Sequence, residues 1–338
     1  MAFVRALLVS LSFAAVISCG PPPKGGRGGA GGGGSAGIDP DACGDISTSD
    51  VGRKLYQFLV ASAELDRRTL ELEGSVRDAC RRMATELGVS PDGDTRTVCR
   101  TAAQALEANL QVSVSQETRL VTKYDPPVCT TDVDFTAEVT AQCEATVQAD
   151  VAVTCEGTCG GTCSGVCDGQ CQGSTGAGGE CNGVCQGTCR GRCSADCQGY
   201  ADVQASAECE ASAELRASLR TECTEPQVRV VQEQVTVVDD SKFQAAMRAI
   251  EAGMPTILQV GARAELTGKA IVLWFKTLGN LVKASGSLAK QMGEKGVCVG
   301  VQLAGALAAA AQVQARIEVS IEVSAEISAS AGASGGAR

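Results

Sequence analysis

Cysteine is the reactive residue of this chain, and histidine is missing altogether: the 338 residues hold 19 cysteines and no histidine. Closely spaced thiols can bond in pairs, hold a soft metal, or exchange electrons. Spacing separates these chemistries. Fourteen cysteines lie between positions 129 and 223. Going in they fall at Cys129, Cys143, Cys155, Cys159, Cys163, Cys167 and Cys171; coming out, at Cys181, Cys185, Cys189, Cys193, Cys197, Cys209 and Cys223. Paired from the inside outward, every pair of positions adds to 352. An antiparallel hairpin turning at Gly176 obeys the same rule, so the spacing predicts seven disulfide rungs. Zinc sites commonly use Cys-x-x-Cys spacing and histidine, and neither occurs here. A metal- or redox-handling tip remains a rival reading, as does a low-complexity loop with scrambled bridges.

The elements that would position the rungs are two long strands. Odd positions from Val133 to Val153 and from Ala201 to Leu219 are apolar or small, while even positions are mostly polar. Such alternation is the strand signal. All fourteen cysteines are odd-numbered, so one face could carry every rung. Within the tip, 155–197, Cys alternates with Gly, and the mirror rule sets Gly161 opposite Gly191, Gly165 opposite Gly187, and Gly169 opposite Gly183. The tip alone cannot fix its register, because a slip of four residues again sets cysteine against cysteine. The unequal outer spacings can. Pro126 and Pro226 mark the base, with a bulge expected there, and 110–122 and 228–238 read as a lower segment of the same hairpin. The mirror register also sets Glu138 against Glu214, Glu144 against Glu208 and Asp150 against Asp202. That acidic face is either solvated or relieved by a divalent cation.

The flanks read as helical. Stripes at helical spacing run through 50–110, with a break expected at Gly74 and Ser75. Cys80 and Cys99 sit on two such stripes, so we pair them; Cys43 with Cys298 follows by elimination. After the hairpin, Asp239 and Asp240 can cap a helix that Gly253 and Pro255 would stop. A longer segment to Met292 carries Lys269, Lys276, Lys283 and Lys290 every seven residues. This lysine edge is either the solvated side of a core-packed helix or a face for an anionic membrane. Residues 313–329 alternate again, which predicts a third long strand joining the hairpin.

The N-terminus reads as an address. MAFVRALLVSLSFAAVISC has one arginine, an apolar run and small residues, the pattern of a secretory signal peptide over 1–18. Val16-Ile17-Ser18-Cys19 resembles the lipobox of bacterial lipoproteins, a resemblance confined to those residues. It implies acylation at Cys19, a bacterial cell-envelope location and, since Gly20 follows, the outer membrane. Residues 19–42 then comprise the lipidated cysteine and a glycine-rich flexible tether. Export favours disulfides, and setting Cys19 aside leaves an even 18 cysteines.

The expected architecture is α+β: a very long disulfide-laddered antiparallel β-hairpin plus a C-terminal strand, packed at its base against alanine-rich helices. Its parts are a helical segment 43–109, the hairpin arm 110–240, a helical segment 241–311, and a strand and tail 312–338. Aromatic residues make up only 3% of the chain, so covalent rungs must replace large core side chains in the arm. A net charge of −10 argues against a nucleic-acid partner. Without histidine, a nucleophile-elbow motif or a phosphate-binding glycine loop, the chain reads as no enzyme, with no metal site and no cofactor. The expected role is a lipid-anchored structural or interaction protein projecting a rigid arm toward a protein or cell-envelope partner. A membrane-active or pore-forming assembly is the alternative.

Overall fold

The computed structural model describes residues 37–113, 121–146, 153–203, 205–231 and 237–335. Of its two units, Met1–Gly34 and Ser35–Arg338, only the second falls within that set. The signal segment, the lipobox with Cys19, and the glycine-rich stretch to residue 36 lie outside it, as does Asp150.

Helices α1 (Asp50–Glu86), α2 (Thr95–Ser113), α5 (Asp240–Met292) and α6 (Glu294–Ser330) form the body. Ser49 caps α1, its Oγ accepting the Gly52 N–H, and Asp239 caps α5 through the Lys242 N–H. The break expected at Gly74 does not occur: α1 is continuous for 37 residues. A Cβ at Gly74 would meet nothing within 4 Å. We therefore expect Gly74→Ala to raise stability by about 0.5–1 kcal/mol, checked by urea unfolding. Nor do Gly253 and Pro255 stop α5. Gly253 lets α5 close onto Met83 and Ala79 of α1, and Arg82 donates to Ala252 O at 2.9 Å in the turn that Pro255 disturbs.

The body has two apolar clusters. In one, Trp274 is fully buried beside Phe58, Leu65, Leu278 and Leu303, and its Nε1 donates to Ser62 Oγ at 2.8 Å. The other gathers Met83, Leu106, Ile250, Met254 and Ile257. Small residues let the long helices approach closely, which explains how a chain so poor in aromatics builds this core.

Parts of three expected strands are helical, while residues 153 and 201–203 keep strand structure in the hairpin. Residues 133–144 form α3 (Val133–Glu144), capped by Asp132, whose carboxylate accepts the Phe135 N–H at 2.9 Å. Residues 207–220 form α4 (Ala207–Arg220). Residues 313–329 lie within α6, and the only C-terminal strand among the described residues is short, β9 (Ala333–Gly335). The alternating pattern of 313–329 also contains a helical stripe: Val313, Ile317, Ser320, Val323, Ser324 and Ile327 are buried. The buried serines bond back to their own helix, Ser320 Oγ to Arg316 O and Ser324 Oγ to Ser320 O, and Ser324 Oγ also donates to Ile257 O of α5, so they fit an apolar interface.

At the base, β1 (Val121–Tyr124) pairs antiparallel with β8 (Val228–Val231) and parallel with β9. Strand β2 (Cys129–Thr130) pairs with β7 (Glu222–Cys223), placing Cys129 directly opposite Cys223. Partners in both antiparallel pairs add to 352, so the register does not slip at Pro126 and Pro226 as a bulge would require. Of the expected lower hairpin segment, residues 110–113 belong instead to α2, these short strands pair as expected, and 114–120 and 232–236 lie outside the described residues.

The acidic face is likewise taken apart. Glu138 and Glu144 belong to α3, Glu208 and Glu214 to α4. Lys54 Nζ lies 2.8 Å from Glu144, whose Oε1 accepts the Ser206 N–H. Burial pushes the Glu144 carboxyl up, but Lys54 and Ser206 outweigh it and hold the carboxyl below its ordinary value of 4.5. A depressed carboxyl stabilises the fold above that value and loses the contribution as pH falls through its folded pKa. The stability gap between the native chain and Glu144→Gln should therefore be full at pH 7, shrink as pH falls below 4.5 and close once pH is below the lowered folded value. Parallel denaturant titrations across pH 3–7 check this.

Candidate functional site

The cysteine-rich tip is built from β3 (Val153–Cys159), β4 (Thr162–Thr175), β5 (Glu180–Cys193) and β6 (Cys197–Val203), in the sheet order β4-β5-β3-β6. It is a hairpin, but a coiled one. One backbone ladder runs from Val153 opposite Val203 to Thr175 opposite Cys181, and its partners add to 356. Gly160 N–H to Asp196 O, Ser194 N–H to Thr162 O and Gly176 N–H to Glu180 O keep the same register through the irregular points. The turn is therefore centred on Gly178, not Gly176. Gly178 and Gly179 hold φ of 79° and 84°, backbone that glycine adopts without strain.

A second ladder, whose partners add to 346, joins the opposite edges. Thr162–Val166 pairs with Glu180–Val184, and Thr154–Gly157 pairs with Cys189–Arg192. Gly165 thus has Gly191 on one side and Cys181 on the other. The ribbon winds round until it bonds to itself, covering strand edges that would otherwise invite pairing with another chain.

The disulfides follow a third rule. They join Cys129 to Cys223, Cys143 to Cys209, Cys155 to Cys197, Cys159 to Cys193, Cys163 to Cys189, Cys167 to Cys185, and Cys171 to Cys181. Each pair adds to 352. Within the coil, no cysteine bonds its ladder partner: Cys163 lies opposite Cys193 but bonds Cys189, and Cys167 lies opposite Cys189 but bonds Cys185. In a flat ribbon a residue four positions along would be about 13 Å away. Here the bonded Cα atoms of Cys163 and Cys189 are 6.0 Å apart, and those of Cys167 and Cys185 are 5.7 Å apart. Only tight coiling closes that gap.

The interior of the coil is accordingly sulfur. Cys159, Cys163, Cys167, Cys181, Cys185 and Cys189 are all buried and pack on one another. Between them the inner positions are glycine, since the backbones nearly touch. A Cβ on Gly165 would lie 2.4 Å from Arg190 O, and one on Gly173 would lie 2.4 Å from Asn182 O. The glycine pairs are Gly165–Gly191, Gly169–Gly187 and Gly173–Gly183, four positions from the mirror rule.

Two more bridges hold the body. Cys80–Cys99 joins α1 to α2, and Cys43–Cys298 joins the entry segment, a short 3₁₀ turn at Pro40–Cys43, to α6. Cys143–Cys209 clamps α3 to α4 beneath the coil. All nine bridges use cysteines singled out above, and each of those eighteen cysteines is bonded to one partner. Among the described residues, no group of three or more Cys, Asp or Glu is placed to hold a metal ion.

The outer surface of the coil is mostly polar. Outward positions include Thr158, Ser164, Asp168, Gln170, Asn182, Gln186, Thr188, Arg190 and Arg192, all exposed. Val166 and Val184 are exposed among them, at 41% and 47%. Near the turn an open groove of about 520 Å³ is lined by Ser164, Val166, Ser174, Glu180, Asn182 and Arg190. Ser164 Oγ donates to Asn182 Oδ1 at 3.2 Å across it. The groove brings Arg190, Glu180, Asn182 and the Ser164 and Ser174 hydroxyls together beside Val166. The sequence reading missed it because it forms between successive windings, which no linear pattern displays. No protein-family model, no curated protein and no solved structure matches this chain.

Proposed function

We propose that this chain is an exported, lipid-anchored interaction protein whose covalent coil serves as a rigid docking head for a protein or cell-envelope partner. The observation that carries the reading is the sulfur core. Nine disulfides suit an oxidising compartment, and a head held by bonds rather than by apolar packing can turn nearly all its other side chains outward. The signal-like segment and the lipobox at Val16–Cys19 supply the address and the anchor. The head is shorter and stiffer than a straight stalk, because its strands wind round one another. The pore reading loses the long amphipathic strands it needed, since 133–144, 207–220 and 313–329 are helical.

Metabolic labelling with an alkyne palmitate in an exporting bacterium tests the anchor. We expect label on the native chain and none on Cys19→Ala; an unlabelled native chain processed at another residue overturns it. Photo-crosslinking amino acids at Asn182 and Arg190 test the head. They should capture a discrete envelope component that the same probe at Arg67, exposed on α1, does not. Equal capture at both places overturns the docking role.

A further inference from the structure

Helices α5 and α6 form an antiparallel hairpin through Gly293. Gly296 packs on Leu288 and Ala289, Gly300 faces Ser285, and Gly261 faces Ser324 at the far end. The sides turned toward the body are filled: Ile271, Trp274, Leu278, Leu281 and Leu288 on α5, and Val299, Leu303, Ala306, Ala310 and Ile317 on α6. In antiparallel helices, equal rotations away from the contact line lead to the same side of the pair. The residues about a quarter turn or more past the contact on each helix therefore share one outer face.

On α6 that face is apolar and bare. Val297 is 59% exposed and Val301 65%, and Ala304, Ala308 and Ala315 are exposed with them. No charged residue occurs from Gly296 to Ala315, a helical length of about 30 Å. Among the described residues, α6 is the helix long and apolar enough to cross a membrane by length and composition, and only 39% of its most apolar window is buried. Beside it, the exposed side of α5, opposite its buried residues, carries Val272 with Lys276, Lys283 and Lys290. Charge is segregated here against the trend of the chain. From Leu266 to Gly293 there are four lysines and no acid, and from Lys295 to Arg316 there is no acid, in a protein of net charge −10. Glu265 and Glu294 bound the two stretches.

We infer that this outer face of the α5–α6 hairpin docks on an anionic phospholipid surface, with α6 seated at the headgroup–acyl boundary and the α5 lysines on the phosphates. A bilayer satisfies both halves at once, burying the apolar stripe while the lysine row meets negative charge. A second copy would bury the stripe but set lysine against lysine. Connectivity agrees: Cys298 at the head of α6 is bonded to Cys43, on the segment that follows the lipobox cysteine. The inference rests on the lipid-anchored reading for its setting, and its test is separable from that reading. It is also distinct from the lysine-edge alternative of the sequence, because the apolar partner of the lysines is α6, while the apolar face of α5 itself is buried.

The test uses the full chain with Cys19→Ser, exported and oxidised, so that no acyl group contributes. Co-sedimentation with vesicles containing phosphatidylglycerol is compared with vesicles of phosphatidylcholine alone. We expect binding to the anionic vesicles, weakened by salt and at least tenfold weaker on the neutral ones. Joint replacement Lys276→Ala, Lys283→Ala and Lys290→Ala should cost about a hundredfold in binding. Val297→Asp with Val301→Asp should abolish binding while helical circular dichroism stays native, since both sites are exposed. No binding to anionic vesicles, or binding that none of these replacements changes, overturns the inference. So does self-association that Val301→Asp abolishes without any vesicle binding, which would assign the face to a second copy. Palmitate labelling at Cys19 in the native chain is scored independently: label without vesicle binding by the Cys19→Ser chain leaves the anchor standing and removes this inference alone.

Discussion

Reduction of the native protein is expected to unfold residues 153–203 and to leave the helical body folded. Among the described residues the coil has no apolar core of its own; only Val153 at its base joins an apolar cluster, with Ala137, Val139 and Ala213 of α3 and α4. Its buried cluster consists of cysteines, with Cys171 and Cys193 at its margin, and its inner positions between them are glycine. A disulfide that closes a loop contributes about 2–4 kcal/mol, chiefly by restricting the unfolded chain. The rungs here are nested, closing loops with separations from 10 to 42 residues, so their contributions overlap and fall short of additive. Even so, five rungs in a unit this small account for roughly its whole stability, since entire domains hold only about 5–15 kcal/mol. The body differs. Phe58, Leu65 and Trp274 in one cluster and Met83, Ile250 and Met254 in the other are buried by packing alone. Its bridges Cys80–Cys99 and Cys43–Cys298 reinforce a core that already exists. Hydrogen exchange read by mass spectrometry, with and without a phosphine reductant, checks this. Protection over 153–203 should vanish while α1 and α5 stay protected. A coil that keeps its protection, or helices that lose theirs at the same reductant concentration, would show that the sulfur core is not what holds the coil.

The cysteine mirror was legible because it is arithmetic. Fourteen positions with a common sum leave little room for another connectivity, and the unequal outer spacings select one sum. The backbone register was hidden for a related reason. Cysteine and glycine both repeat every four residues in the tip, so a ladder slipped by four still sets cysteine against cysteine and glycine against glycine. The outer pairs could not expose the slip, because the connecting segments absorb it. Ten positions separate Cys143 from Val153, but six separate Val203 from Cys209. The helices at 133–144, 207–220 and 313–329 misled for a different reason. In Ala-, Ser- and Val-rich sequence, period-two alternation and a 3.6-residue stripe coincide over many positions, and small polar residues such as Ser212, Ser320 and Thr140 are buried in helices by bonding back one turn. Asp132 and Ser206 stood before two of these helices as N-cap residue types and were the local signal against strands. The groove near the turn and the bare face of α6 depend on which surfaces come together, and no local pattern carries that.

Gly187→Ala is expected to block oxidative folding of the coil, a harsher outcome than one methyl group ordinarily brings. Gly187 sits opposite Gly169 in the ladder, with φ of 152°, a conformation L side chains rarely adopt. A Cβ there would fall 2.1 Å from Asp168 O and 3.0 Å from Gly169 Cα. Both neighbours are backbone, so no side chain can swing away. The residues flanking the contact are fixed as well, by Cys167–Cys185 on one side and Cys163–Cys189 on the other. Overpacking typically costs about 1–3 kcal/mol and a strained backbone about the same again, against a unit whose stability resides in the rungs that this clash would pull apart. The expected product is a mixture of disulfide isomers with cysteines paired four residues out of register, because the repeat supplies those wrong partners at matching spacing. Non-reduced peptide mapping after partial reduction and stepwise alkylation would resolve them. A Gly187→Ala protein that shows only Cys163–Cys189 and Cys167–Cys185, with a melting temperature within a few degrees of the native chain, would mean that the two strands are not pressed together as tightly as the glycine pairs require. Gly74→Ala, with open space around the new methyl, serves as the control and should fold with native pairing.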